Sequence, residues 1–434
     1  MTARHLLLNM TANGSADPLV IGGGKGTRLI DADGRSLIDG LSGLYCSQLG
    51  YDYADEIAEA AAKQLRELSY APLWSATAHP AAIELAGCLA RLATDGINHT
   101  FFTSGGAESV ETAWKIARKY HTLRGESGRT KAIARRGAYH GLTLGALSFT
   151  DDPGLTEPYG PPAIPTRFVS DTRRPAGTAE LLSEIETLIL AEDPGTIAML
   201  IAEPVQNRGG CITPPEGYWQ GLRDLADRYG FLLVADEVIT AFGRLGEWFG
   251  GSCFDARPDL ITIAKGVTSG YAPLGAAMVH DRVADVLNVP GVVLNHGYTF
   301  SGHPLSCAVA SRTIEIIRRE RILDNVRAHQ DRLAARMAEL EQLPIVGEVR
   351  GRGYFYAAEL VPGDAGPSFS IEKREVLIRD LIPRRLREAG LLARVYDRAQ
   401  PLVQIAPPLV CTAAELDRIV AILAETLDEA SRML

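Results

Sequence analysis

Three stretches of the sequence join residue types that chemistry needs and that a folded core ordinarily avoids. The run DLITIAKGVTSGYAPLGAAMVH, Asp259 to His280, carries a single charge between its ends, Lys265. A lysine in such surroundings loses hydration, so it finds a counter-charge, gives up its proton or becomes covalently committed. Upstream, FLLVADEVITAFGR ends an apolar run in Asp236 and Glu237. Core strands rarely hold an acid without a partner. Strand alternation sends the two carboxylates to opposite faces, so at most one faces a ligand. Earlier, FFTSGGAESVETAWKIARKY passes from an apolar strand through Ser104, Gly105 and Gly106 into a helical pattern. The first turn of such a helix offers unpaired backbone N–H groups and the positive end of a dipole, a place for phosphate.

Each stretch alone also has a plain structural reading: a glycine turn with a serine cap, an acid at a sheet edge, a lysine that snorkels or joins an ion pair. Their combination decides. A phosphate cradle, an acid at a strand end and, 29 positions after that acid, a lysine at the end of the next strand suit pyridoxal phosphate. That cofactor needs a phosphate anchor, a carboxylate to keep its pyridine nitrogen protonated and an amine for a Schiff base. A nucleotide-dependent oxidoreductase would need GxGxxG after a strand and a ribose-binding acid about 20 residues on; SGGAES is not that pattern. A non-catalytic protein that binds the cofactor also fits these residues.

The elements that must position these groups are legible in outline. Residues 27–39, TRLIDADGRSLID, form two short runs around Asp33-Gly34, a hairpin signal. GGGKG at 22–26 lacks the spacer of a phosphate loop and is read as a turn before that hairpin. DEIAEAAAKQLREL and HPAAIELAGCLARLA recur at helix spacing, with Pro80 near a first turn. The middle of the chain alternates short apolar strands with helices, which argues for a mainly parallel sheet covered by helices. A long helical stretch from about Pro304 to Leu343 then leads into strand-like VGEVRGRGYFYAAEL and a last helix, AAELDRIVAILAETLDEASRM.

Composition excludes several classes. With 434 residues, 46% of them hydrophobic and 22% charged, the chain can build a core large enough to hold a ligand. A net charge of −9 argues against a nucleic-acid surface. Six scattered cysteines without a CxxC pair point to a reducing cytoplasm, with neither metal site nor disulfide expected. No segment approaches the roughly 18 apolar residues of a membrane span, and a soluble cytoplasmic protein is expected.

From about Pro18 to near its end the chain resembles the class III, or omega, aminotransferases of the aspartate-aminotransferase fold type. VADEVITAFGRLGEWFG and PDLITIAKGVTSGYAPLGA are close to that family's signature, and SGGAESVETA, AYHG, AEPVQ and YTFSGHPLSCA occur in family order. The resemblance implies an α/β protein of fold type I: a mainly parallel seven-stranded sheet covered by helices, plus a small α+β domain built from both chain ends. Residues 1–70 and 326–434 would form the small domain and 71–325 the large, cofactor-binding one. It implies a homodimer with active sites at the interface. It also implies pyridoxal-phosphate-dependent, ping-pong transfer of an amino group from a primary amine or omega-amino acid to a keto acid such as pyruvate. Another reaction on this scaffold, by an amino-acid racemase, a decarboxylating transaminase or an aminomutase, is the alternative.

Carried over by residue, Lys265 resembles the Schiff-base lysine and Asp236 the pyridinium partner. Gly105 and Gly106 match the phosphate loop, Tyr139 and Val238 would pack on the two faces of the ring, and Glu203 would lie near the polar edge of cofactor and substrate. Thr299 resembles a residue that reaches the partner's phosphate across a dimer interface; His140 is read as structural. On the substrate side, Tyr45 stands where many relatives carry Trp, and Trp74 lies on a loop that in the family borders the cavity. Arg394 matches an arginine that swings in for a carboxylate and out for an apolar amine, with Arg398 its rival because the segment before IAPPL is longer than usual. Gly106, where relatives often have Ser, removes a hydroxyl from the phosphate cup. Asn207-Arg208 puts an extra arginine near the cofactor edge, which selects an acidic or polyol-like substrate or points to solvent.

Overall fold

The computed structural model describes residues 5–10, 18–173, 177–362, 368–397 and 400–433. Near the amino end lie three short strands, β1 (Ile21–Lys25), β2 (Arg28–Asp31) and β3 (Ser36–Asp39), paired antiparallel in that order. β2 and β3 turn at Asp33-Gly34, where Gly34 takes φ +83° and Asp31 Oδ1 accepts the N–H groups of Asp33 and Arg35. The glycine run at 22–26 is not the turn expected above: its first four residues belong to β1. Every residue of β1 is exposed, so no apolar alternation marks it. Gly24 needs its missing side chain, since a Cβ there would sit 2.6 Å from the Tyr51 ring.

The central sheet is built from β4 (Ile97–Thr103), β5 (Lys131–Arg135), β6 (Thr166–Val169), β7 (Ile197–Ala202), β8 (Leu232–Asp236), β9 (Leu260–Ile263) and β10 (Gly275–His280), in the order β4-β10-β9-β8-β7-β5-β6. From β9 to β6 all pairings are parallel. β10 runs antiparallel to both β9 and β4. β7 and β8 are buried throughout, as strands covered on both faces must be. The Pro80–Leu92 helix starts on its proline, with His79 Nδ1 accepting the Ala82 N–H. The Gly106–Leu123 helix follows β4 almost at once. The long stretch from Pro304 divides into the helices Pro304–Arg319 and Ile322–Ala338, broken at Arg321, whose φ is +53°.

Towards the carboxy end lie β11 (Val346–Arg352), β12 (Phe355–Leu360), β13 (Leu391–Leu392), β14 (Arg394–Asp397) and β15 (Pro401–Ile405). Four of them form an antiparallel sheet, β11-β12-β15-β14. β13 instead pairs parallel with β3, Leu391 beside Ile38, so the two chain ends share one sheet. The closing helix Ala413–Arg432 opens with a capping box between Thr412 and Glu415, and Glu415 also accepts the Thr27 hydroxyl at 2.5 Å. The result is the α/β arrangement expected: a mainly parallel seven-stranded sheet under helices and a smaller α+β part made from both ends.

Candidate active site

The register of β8 on β9 sets Asp236 beside Thr262. The Thr262 hydroxyl donates to Asp236 Oδ1 at 3.0 Å, and the Val238 N–H reaches the same oxygen at 3.2 Å. His140 Nδ1 lies 2.7 Å from Oδ2. With Asp236 as acceptor, that ring nitrogen carries a proton, and Nε2 is buried without a hydrogen-bond partner among the described residues. Three donors on one carboxylate fix its orientation. Glu237 turns the other way, as alternation requires, and accepts from the N–H groups of Gly250 (2.6 Å) and Gly251 (2.8 Å) and from the Thr240 hydroxyl (2.9 Å).

Beyond β9, Lys265 opens a single 3-10 turn with φ +44°. A non-glycine residue in that region signals a corner held by its surroundings. Burial pushes the Lys265 amine below its ordinary pKa, so it surrenders its proton more readily. Its Nζ sits 5.8 Å from the centre of the Tyr45 ring. At the start of the Gly106–Leu123 helix, the Ser104 N–H donates to Glu108 Oε2 at 2.8 Å. The residues that follow present first-turn N–H groups without intrahelical acceptors. A Cβ on Gly105 would touch nothing within 4 Å, whereas one on Gly106 would meet Val238 Cγ1 at 2.9 Å.

One cavity of about 990 Å³ unites these groups: Gly106, Tyr139, Glu203, Asp236, Val238 and Lys265 all line it, as do His140, Tyr45, Arg208 and Arg394. The buried Glu203 carboxyl, its pKa raised by burial, accepts the N–H groups of Asn207 (2.9 Å) and Tyr139 (3.4 Å). These residues fit pyridoxal phosphate. A helix start with open space beside Gly105 can take a phosphate, the fixed Asp236 carboxylate a protonated ring nitrogen, and the depressed Lys265 amine a carbonyl carbon.

The substrate side is polar within and apolar outside. Arg394 Nη1 donates to the Tyr45 hydroxyl at 2.9 Å, and its guanidinium lies 4.6 Å from the centre of the Tyr396 ring. Arg208 reaches the cavity but is ion-paired with Asp152, so it does not simply point to solvent. Leu44 and Leu142, both exposed, line the same cavity. Two expected residues lie elsewhere. Trp74 is 53% exposed and packs over Gly297, where a Cβ would meet its ring at 2.4 Å. Thr299 is exposed and its carbonyl accepts the Tyr70 hydroxyl at 2.8 Å. Neither lines this cavity. Arg398 lies outside the described residues.

His140, read as structural from the sequence, sits against Asp236 in the fold. Thr262 and Gln404 are site residues that no motif marks. Thr262 had a signal, being one strand residue in register with the acid. Gln404 had none in its surroundings, QPLVQIAPP.

The family model described as aminotransferase class-III matches residues 10–427. A probable aminotransferase of Mycobacterium tuberculosis is 43% identical over 443 residues, covering 99% of this chain and 94% of that protein. The putrescine–pyruvate aminotransferase of Pseudomonas aeruginosa is 35% identical, with 93% of this chain and 89% of the relative covered. Among solved structures, a thermostable (S)-enantioselective omega-transaminase from Thermomicrobium roseum superposes with a TM-score of 0.91 at 39% identity, over 95% of this chain and 93% of that one.

Proposed function

Because the chain belongs to the class III aminotransferases and so is a pyridoxal-phosphate-dependent transaminase of the omega type, we propose roles for its residues and a substrate range. The donor is a primary amine or omega-amino acid and the acceptor a keto acid, with pyruvate favoured by the activity named for the Pseudomonas relative. The observation that carries the residue roles is the convergence of a helix start, Asp236 and Lys265 on one cavity. Bound there, pyridoxal phosphate supplies an electron sink for the electrons released at the amine-bearing carbon.

The chain does the rest. First-turn N–H groups at Gly106 and Ala107 hold the phosphate, with Gly105 leaving room for it. Asp236, fixed by Thr262, Val238 and His140, keeps a proton on the pyridine nitrogen. Tyr139 and Val238 would pack against the bound ring, and Glu203 would border its polar edge. Lys265, made more readily neutral by burial, would take the proton from the substrate carbon and return it as the general acid. Arg394 meets a substrate carboxylate with a guanidinium fork. The exposure of Thr299, Phe300 and Val293 supports a homodimer in which Thr299 reaches the phosphate held by the other subunit. No helix among the described residues is long and apolar enough to cross a membrane.

The test is a half-reaction. An amine donor alone should shift the absorbance of the bound cofactor, and the original spectrum should return only when pyruvate is added. Lys265→Ala should abolish the cycle. A donor racemised without that net conversion would overturn the transaminase reading, and an active Lys265→Ala would overturn the role of the lysine.

A further inference from the structure

We propose that Tyr45 and Gln404 form a lock that holds the Arg394 guanidinium over the cavity, making it a preset carboxylate receptor. The proposal rests on the transaminase reading and deepens it towards substrate class. Gln404 is fully buried, and its Nε2 donates to Asn207 Oδ1 at 2.9 Å and to Cys211 Sγ at 3.0 Å. Those acceptors fix which way the amide faces, so its Oε1 meets the Tyr45 hydroxyl, at 2.5 Å. A phenol has one proton to give, and Gln404 takes it. Only lone pairs are then left on that oxygen, and Arg394 Nη1 donates to it at 2.9 Å.

The other side of Arg394 is held by the Tyr396 ring, 4.6 Å away, and the Tyr396 hydroxyl donates to the Asn207 carbonyl at 3.3 Å. Tyr45 itself is 2% exposed and packed edge-on against the Phe355 ring, 5.8 Å between centres, which keeps the phenol from following the arginine outwards. A tryptophan at this position carries an N–H donor but has no acceptor to offer a guanidinium. The tyrosine is therefore the element that commits Arg394 inward. Keto acids and amino acids with a carboxylate are favoured over amines whose apolar group needs the arginine out of the way. Tyr45 and Gln404 act through Arg394 as positioning residues.

The test uses the holoenzyme and propionate, a carboxylate with no carbonyl to react, with binding read from the bound cofactor's absorbance. Tyr45→Phe should weaken propionate roughly ten-fold and raise the KM for pyruvate by a similar factor with a smaller change in kcat, the scale of one hydrogen bond to a charged group. The kcat/KM ratio of 1-phenylethylamine to 3-aminopropionate should rise about as much. Tyr45→Trp should show the same loss. In an Arg394→Leu background, Tyr45→Phe should change propionate affinity no further. Propionate affinity unchanged in both Tyr45 variants, or a Tyr45→Phe effect that adds to Arg394→Leu, would overturn the lock. Propionate binding is read without turnover, so a failed lock and a failed transaminase reading remain distinguishable.

Discussion

Replacing Gly106 by Ser tests the cofactor side of the cavity with a calculable perturbation. The new Cβ would stand 2.9 Å from Val238 Cγ1, 3.1 Å from Val238 Cγ2 and 3.7 Å from Ala264 Cβ. Carbon pairs settle at about 3.5–4.0 Å, so Val238 has to withdraw by roughly 0.6 Å. It cannot do so freely, because its N–H is bonded to Asp236 Oδ1 at 3.2 Å. Overpacking of this kind costs ~1–3 kcal/mol. If it falls wholly on cofactor binding, affinity drops roughly 5- to 150-fold; if on folding, the cofactor-free protein loses that much stability. The assays are a pyridoxal phosphate titration and urea unfolding of the cofactor-free protein. In a Val238→Ala background both methyl groups are gone, and the penalty of Gly106→Ser should largely vanish. A penalty of equal size in both backgrounds, or none in either, would refute the packing argument.

Four further outcomes follow from the same geometry. His140→Phe removes the 2.7 Å donor to Asp236, a bond to a charged group worth about 1.5–3 kcal/mol. Its kcat/KM should fall roughly 10- to 150-fold, with no further loss when added to Asp236→Asn. Borohydride reduction of the holoenzyme followed by peptide mapping should fix the cofactor on Lys265 and leave exposed lysines such as Lys63 unmodified. Because burial depresses the Lys265 pKa, the unfolded cofactor-free chain binds more protons than the native one between that depressed value and the ordinary 10.5. Lys265 should therefore contribute rising stability as pH climbs through that window, and urea unfolding of Lys265→Met from pH 7 to 10 should lack this contribution. Arg244→Met should cost about 3 kcal/mol or more, read as a lower urea midpoint. Arg244 is buried and donates to the Tyr354 carbonyl (3.2 Å), the Pro407 carbonyl (2.5 Å) and the Ser42 hydroxyl (3.1 Å).

Much of the central sheet, and the charged residues its strand ends bring to the cavity, could be read from the chain because those charges close apolar runs. Lys265 and Asp236 stand out as charges closing apolar runs, and alternation alone separated Asp236 from Glu237. What could not be read has physical causes too. β1 is exposed along its whole length and rich in glycine, so it offers no side-chain pattern to detect. The helical stretch from Pro304 reads as continuous because its break depends on one left-handed residue, Arg321, of a type no turn rule flags. His140 looked structural because its partner is 96 positions away and is fixed only when β8 takes its place in the sheet. Trp74 and Thr299 belong to loops whose direction depends on packing, not on local pattern. Gln404 lies in a buried strand where a lone amide resembles a core exception, and only its bonds to Asn207, Cys211 and Tyr45 give it a purpose.

The bond between Tyr45 and Gln404 joins residues 359 positions apart, whereas the residues proposed to hold the cofactor from within one chain lie between Gly105 and Lys265. On the ribosome the cofactor side is therefore complete in sequence well before the wall that grips the substrate carboxylate can close. Substitutions near the chain ends are therefore expected to alter which carboxylate is accepted before they alter the chemistry proposed for Asp236 and Lys265.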